Sequence, residues 1–219
     1  MNGAAYVQLL DLSAGAVLVC AVVTLWRSDL RAIVSALSLQ GVALGAAAGV
    51  LAAHEHDAGL AVTAILVLGA KAVVIPALLH RVVRADPASR ETSPVLNVTA
   101  SLVAAALLIV LAFLVSVRVT ALAPSVATRL APLGIATVLL GAFLLVTRRK
   151  AVSGIVGLLL VDNGIALVTF LLTAGVPLVV ELGASLDVLL VVVVLRVLAT
   201  RLQARFAAFD LDQLQDLHD

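Results

Sequence analysis

Cysteine, aromatic residues and charge are all scarce in this chain, and each scarcity removes a class of function. Its single thiol, Cys20, sits in an apolar run. One cysteine cannot form an internal disulfide, hold an iron-sulfur centre or build a cysteine-based zinc site. Any redox metal in the pathway this chain serves therefore belongs to a partner. Aromatic residues are 3% of the total, with one Trp and one Tyr, so the interfacial belts are thin and an aromatic pocket for a large cofactor is not expected. Charged residues make up 12%, against about 25% in soluble domains.

What fills the chain instead is apolar. Hydrophobic residues are 63% of the sequence and the mean hydropathy is +1.22, which together place it among integral membrane proteins. Seven segments have the ~20-residue length that crosses a bilayer core: Tyr6 to Trp26, Ala32 to Ala53, Leu60 to Leu79, Leu96 to Val117, Leu130 to Val146, Val152 to Leu172 and Leu178 to Leu198. The expected fold is all-α, with no residues left over for a soluble domain. No basic stretch precedes the first apolar run, so it reads as a retained span and not a signal peptide.

Cations in the connecting loops orient the spans. With the N-terminus outside, the inner loops and tail hold Arg27, Arg31, Arg81, Arg84, Arg90, Arg148, Arg149, Lys150, Arg201 and Arg205, against Arg118 and Arg129 outside. Lys and Arg in short loops set topology, so the C-terminus is expected to be cytoplasmic. The net charge of +1 hides this asymmetry, and the basic loops need no nucleic acid to explain them.

A few ionisable residues fall inside the spans. An ionised group at a helix centre costs roughly 2.5–3.5 kcal/mol on insertion scales, which makes it a functional candidate by default. Asp162 and Asp187 lie on consecutive spans and Lys71 on an earlier one. The competing explanation is that such groups only join helices. Asn163, and Gln40 with Ser35 and Ser38, read as interhelical hydrogen bonding. Gly41, Gly45, Gly154, Gly157 and Gly164 read as positions of close backbone approach. Pro76 has no amide for the carbonyl of Ala72, which then needs water or a polar side chain. Asp11 and Glu181, near outer span ends, are candidate points of proton uptake or release, and Arg196 is a candidate inner terminus that can also snorkel to the surface. The loop His54, Glu55, His56, Asp57 lacks the helical spacing of a zinc motif and reads as a solvated turn. The tail from Arg201 to Asp219 mixes leucines and phenylalanines with acids, as a segment lying on the inner membrane face or docking a neighbour would, or as a frayed end would.

The chain also repeats itself. Ser38 to Leu44 reads S-L-Q-G-V-A-L and Val161 to Leu167 reads V-D-N-G-I-A-L, each after a basic connector, and Leu68 to Lys71 (L-G-A-K) parallels Leu182 to Asp187 (L-G-A-S-L-D) with a two-residue shift. With one span between the copies, each repeated helix keeps its direction, which gives a parallel repeat. This divides the chain into a first three-helix unit at 1–85, a linker with the fourth span at 86–129, and a second three-helix unit with its tail at 130–219. Leu39 stands where Asp162 stands in the second copy.

Arg148 to Phe170 (R-R-K-A-V-S-G-I-V-G-L-L-L-V-D-N-G-I-A-L-V-T-F), the next span with Asp187 and the tail Phe209 to Leu217 (F-D-L-D-Q-L-Q-D-L) resemble the NuoK subunit of respiratory complex I. Over nearly its whole length, Lys71 included, the chain resembles still more the HyfE component of formate hydrogenlyase and hydrogenase-4 type membrane-bound hydrogenases. The resemblance implies a NuoK-like second unit and a non-catalytic subunit in which Asp162, Asp187 and Lys71 belong to a proton-translocating axis. It implies no cofactor in this chain, with nickel-iron and iron-sulfur centres in partners. Those partners would be antiporter-like (NuoL/NuoN-like) and NuoH-like membrane subunits and hydrogenase-like large and small subunits, in a bacterial-type cytoplasmic membrane. Asp187 falls where the second NuoK glutamate would be, whereas Leu159 occupies the place of the first and Asp162 follows three residues later. Three residues keep the carboxylate on about the same face but shift it ~4.5 Å along the axis. The readings from other classes are a stand-alone secondary transporter of protons or cations and a structural scaffold with silent acids.

Overall fold

The computed structural model describes residues 2–85, 97–122, 124–148 and 151–172, and every regular element among them is helical. Helix α1 is Gly3–Trp26 and α2 is Leu30–Glu55. Helix α3, Ala58–Val67, runs through a π-helical segment, Leu68–Val74, into α4, Ile75–Ala85, and the three form one span. Then follow α5, Val98–Leu122, a 3-10 turn at Thr128–Leu130, α6, Ala131–Thr147, and α7, Ala151–Leu172. Six of these spans are long and apolar enough to cross a membrane. At 1.5 Å per residue the 24 residues of α1 reach ~36 Å, more than the ~30 Å hydrocarbon core. The chain is an all-helical, multi-pass membrane protein. The proposed seventh span lies outside the described residues.

Helices are the only open-ended solution for such a chain, because in lipid each backbone N–H and C=O must find its partner within the segment. The sequence marks where they stop. Asp29 accepts from the Arg31 amide at 3.3 Å to start α2, and Asp57 accepts from Gly59 and Leu60 at 2.7 and 3.3 Å to start α3. His56 closes α2 in the left-handed region at φ 55°, and His54 stacks on Tyr6 with centroids 3.9 Å apart. Three of the four residues of that turn, His54, His56 and Asp57, thus cap or pack helix ends.

Packing depends on small residues. One cluster joins Leu10, Ala14 and Val17 of α1, Ala43, Leu44, Ala47 and Leu51 of α2, Leu60 and Ala64 of α3, and Leu167, Phe170 and Leu171 of α7. With lipid outside as apolar as leucine, such contacts stabilise through close van der Waals fit. Helices α6 and α7 lie in close backbone contact. A Cβ on Gly134 would meet the Gly164 carbonyl at 3.1 Å and the Val168 side chain at 2.6 Å, while one on Gly141 would lie 2.9 Å from the Gly157 carbonyl and 2.6 Å from the Val161 amide. That is the register of an antiparallel pair whose backbones touch. Gly41 and Gly45 of α2 do the same against Lys71 and Leu68, but Gly154 has no neighbour within 4 Å among the described residues, so the expected close packing is not seen there. Helix α5 packs on α6 and α1 and leaves Leu107, Val110, Leu114 and Val117 exposed.

The spans sort their charges by end. At one end Arg148, just past α6, donates to the carbonyl of Leu25 at 3.2 Å, beside Arg27, whose guanidinium lies 5.4 Å from the Trp26 ring centroid. Because α2 starts there and α4 finishes there, Arg31 and Arg81 share this basic end. Toward the other, Asp11 of α1 binds Arg129 with both oxygens, at 2.7 and 2.8 Å. Helices α1 and α6 are therefore parallel, as are α2 and α7.

Candidate functional site

The π segment is where local sequence and tertiary structure meet. Pro76 offers no N–H to the carbonyl of Ala72, and the helix is wound wide over the seven residues that end two positions before it. Ser38 of α2 donates to that carbonyl at 2.6 Å. The carbonyl freed by proline is thus satisfied by a side chain from the next helix, as its burial requires. Gly41, one turn beyond Ser38, lets α2 lie against the main chain of Lys71: a Cβ there would come within 2.5 Å of the Lys71 carbonyl carbon. π-Bulges recur at functional sites because they re-aim one side chain without ending the helix.

The side chain so aimed is Lys71. Its Nζ lies 2.6 Å from Asp162 Oδ2 on α7, with the two side chains 4% and 12% exposed. Ammonium and carboxylate taken out of water are retained only when paired. Beside them, Asn163 Nδ2 donates to Gln40 Oε1 at 2.9 Å, and Gln40 Nε2 donates to the Val17 carbonyl at 3.0 Å. A polar layer therefore crosses the apolar bundle from α1 through α2 to α7 and the π segment. Ser38→Ala is expected to leave the Ala72 carbonyl unpartnered and cost about 0.6–1.7 kcal/mol, and Pro76→Ala in the same chain, by restoring an amide, should recover most of it. Melting temperatures of the two variants in detergent test this.

Chemically, either member of the pair can carry the proton between them. Passing the Nζ proton to Oδ2 turns an ammonium and a carboxylate into an amine and a carboxylic acid without changing their summed charge. Adding or removing one proton changes that charge by one, and the low-dielectric surroundings then couple it to any neighbouring charge. No described group of three or more His, Cys, Asp or Glu residues is placed to hold a metal ion.

The other sequence candidates divide. Lys71, Asp162 and Asn163 are brought together. Asp11 is not: it forms the half-exposed pair with Arg129, six residues or ~9 Å along α1 from Val17, where the polar layer begins. Asp187, Glu181 and Arg196 lie outside the described residues. Leu159, one turn before Asp162, is buried at 2%, so that position belongs to the apolar core. Sequence reasoning gave Gln40 and Asn163 as interhelical bonding groups without matching them to each other. The signal was available, since the two heptapeptides align Gln40 with Asn163. Nothing comparable marked the π segment except Pro76.

Comparison with known proteins gives one relative to describe. The uncharacterized protein Rv0085 of Mycobacterium tuberculosis (strain ATCC 25618 / H37Rv) is 44% identical over 220 residues, covering 100% of both chains. No family model and no solved structure matches.

Proposed function

We propose that this chain, which belongs to one family with the uncharacterized protein Rv0085 of Mycobacterium tuberculosis, is a non-catalytic membrane subunit of a hydrogenase-type or complex I-like oxidoreductase, and that Lys71 and Asp162 form part of its proton-translocating axis. The observation that carries this reading is the Lys71–Asp162 pair, 2.6 Å apart and buried at mid-helix. Holding such a pair costs desolvation that apolar residues of equal volume would avoid. A π segment, a proline-freed carbonyl and a glycine contact all converge on it, which suits a device whose charge has to move.

Several finer features belong to the same reading. The basic end would face the cytoplasm of a bacterial-type cell, with the N-terminus outside and a seventh span carrying Asp187 into the axis. The parallel repeat gains support from the packing: α1 lies beside α6, α2 beside α7, and the matched residues Gln40 and Asn163 meet each other. Leu39, the counterpart of Asp162, is 59% exposed on α2, so an acid there would face lipid or a neighbour, and only the second copy would use its carboxylate. Nickel-iron and iron-sulfur centres would sit in partner subunits, next to antiporter-like and NuoH-like membrane subunits.

The test is a mild-detergent pull-down of the tagged chain from its native membranes, with co-purifying proteins identified by mass spectrometry. Recovery with a hydrogenase-like large subunit and an antiporter-like subunit is the expected result. Asp162→Asn should then leave the complex assembled while abolishing its proton-coupled activity. Recovery of the chain alone, or with copies of itself, would overturn the proposal and point to stand-alone ion transport.

A further inference from the structure

On one face of the described helices, α2 meets the π segment and α4 along a shallow seam. Between them runs a groove of about 460 Å³, lined along α2 by Ser35, Ser38, Leu39 and Val42 and along the π segment and α4 by Val73, Pro76, Ala77 and His80. Its inner limit lies at the polar layer, level with Gln40 and Lys71, and its outer limit at the basic end. From Val42 to Ser35 it spans seven residues of α2, about 10 Å, which approaches half of a ~30 Å hydrocarbon core. The groove therefore spans about two-thirds of one leaflet's hydrocarbon depth.

Its walls are apolar in effect. Both serine hydroxyls are spent on main-chain carbonyls, Ser35 on Arg31 at 2.9 Å and Ser38 on Ala72 at 2.6 Å. What remains for an occupant is Leu39, Val42, Val73, Pro76 and Ala77. Water there would find few partners, since an ordered water needs two to four. At the outer limit the chemistry changes. The His80 imidazole makes no hydrogen bond among the described residues, and Arg31 stands one turn beyond Ser35 on the same face of α2. Arg27, Arg81 and Arg148 are at the same end, where Asp29 is the one described acid.

We propose that this groove binds an anionic phospholipid of the leaflet at the basic end, with an acyl chain lying along Leu39, Val73 and Ala77 and the phosphate held by Arg31 and His80. The inference is separate from the proton axis. Length, an apolar floor and cations confined to one end all match a lipid lying parallel to the helices. A zwitterionic headgroup would gain less from those cations, and lost surface cations weaken binding to anionic lipid about fivefold each.

Native mass spectrometry of the purified full chain tests this, with dioleoyl phosphatidylglycerol and dioleoyl phosphatidylcholine added in turn. The wild type should retain phosphatidylglycerol preferentially. Arg31→Gln should lose about fivefold of that preference, and Ala77→Phe, which fills the groove from an exposed position, should lose retention altogether, while Ile65→Phe on exposed α3 surface should match the wild type. Should Ala77→Phe misfold, the exposed Arg31→Gln variant still decides. Equal retention of both lipids, a groove-filled variant that still binds, or a wild type that retains neither lipid and so leaves the groove to a partner helix would each overturn the proposal.

Discussion

Asp162→Leu is expected to destabilise the chain by about 3–5 kcal/mol, because it breaks a buried ion pair by removing the carboxylate that sits 2.6 Å from the Lys71 ammonium. Leucine fits the space but accepts no hydrogen bond, and Lys71, at 4% exposure, has little access to water. Replacing both partners should behave differently. Lys71→Met with Asp162→Leu removes the two charges together, and exchanges of this kind for apolar groups of similar volume are often neutral or stabilising by about 1–4 kcal/mol. Thermal unfolding of the three chains in detergent, followed by helical circular dichroism, measures the cycle. The double variant also separates the two roles open to the pair. A purely structural pair predicts recovered stability and unchanged proton-coupled activity of the native complex. A working relay predicts recovered stability with that activity still missing.

The glycines between α6 and α7 carry the second large effect. Alanine at Gly164 would place a Cβ 2.6 Å from the Val138 amide nitrogen and 2.8 Å from the Gly134 carbonyl, and alanine at Gly141 would meet the Val161 amide at 2.6 Å. These are main-chain atoms, so no rotamer change relieves them and the helices have to separate. Overpacking of this kind costs typically about 1–3 kcal/mol, against the ~1 kcal/mol that alanine contributes through helix propensity. Gly154→Ala supplies the control on the same helix: no described residue lies within 4 Å of its added Cβ, so it should be neutral or slightly stabilising. The measurement is the melting temperature of each single variant. Equal shifts at Gly164 and Gly154 would mean that the close approach of α6 and α7 contributes nothing.

Gly41 links the two results. Its Cβ would press on the main chain of Lys71, so Gly41→Ala should displace the π segment and weaken the ion pair without touching either charge. Coupling between Gly41→Ala and the paired replacement of Lys71 and Asp162, read as non-additive stability, would reveal it.

How much of this was legible in the sequence depended on the range of the interaction involved. Composition and run length determined the membrane class, the all-helical fold and the positions of the six described spans, since lipid leaves an apolar chain of this length no other way to satisfy its backbone. Mid-span polarity singled out Lys71, Asp162, Asn163 and Gln40, because such residues are too costly in a bilayer to be placed without a partner. Pro76 announced an unpaired Ala72 carbonyl, since the loss of an amide is a local fact. Which group answered each need was decided by tertiary structure: Ser38 for the carbonyl, Asp162 for Lys71, Arg129 for Asp11, and Gln40 for Asn163, the one pair that the aligned heptapeptides also hinted at. Partners separated by up to 123 residues meet only through the register and crossing of helices. That register is set by glycine contacts such as Gly41 on Lys71 and Gly134 on Gly164, whose partners no periodicity or propensity encodes.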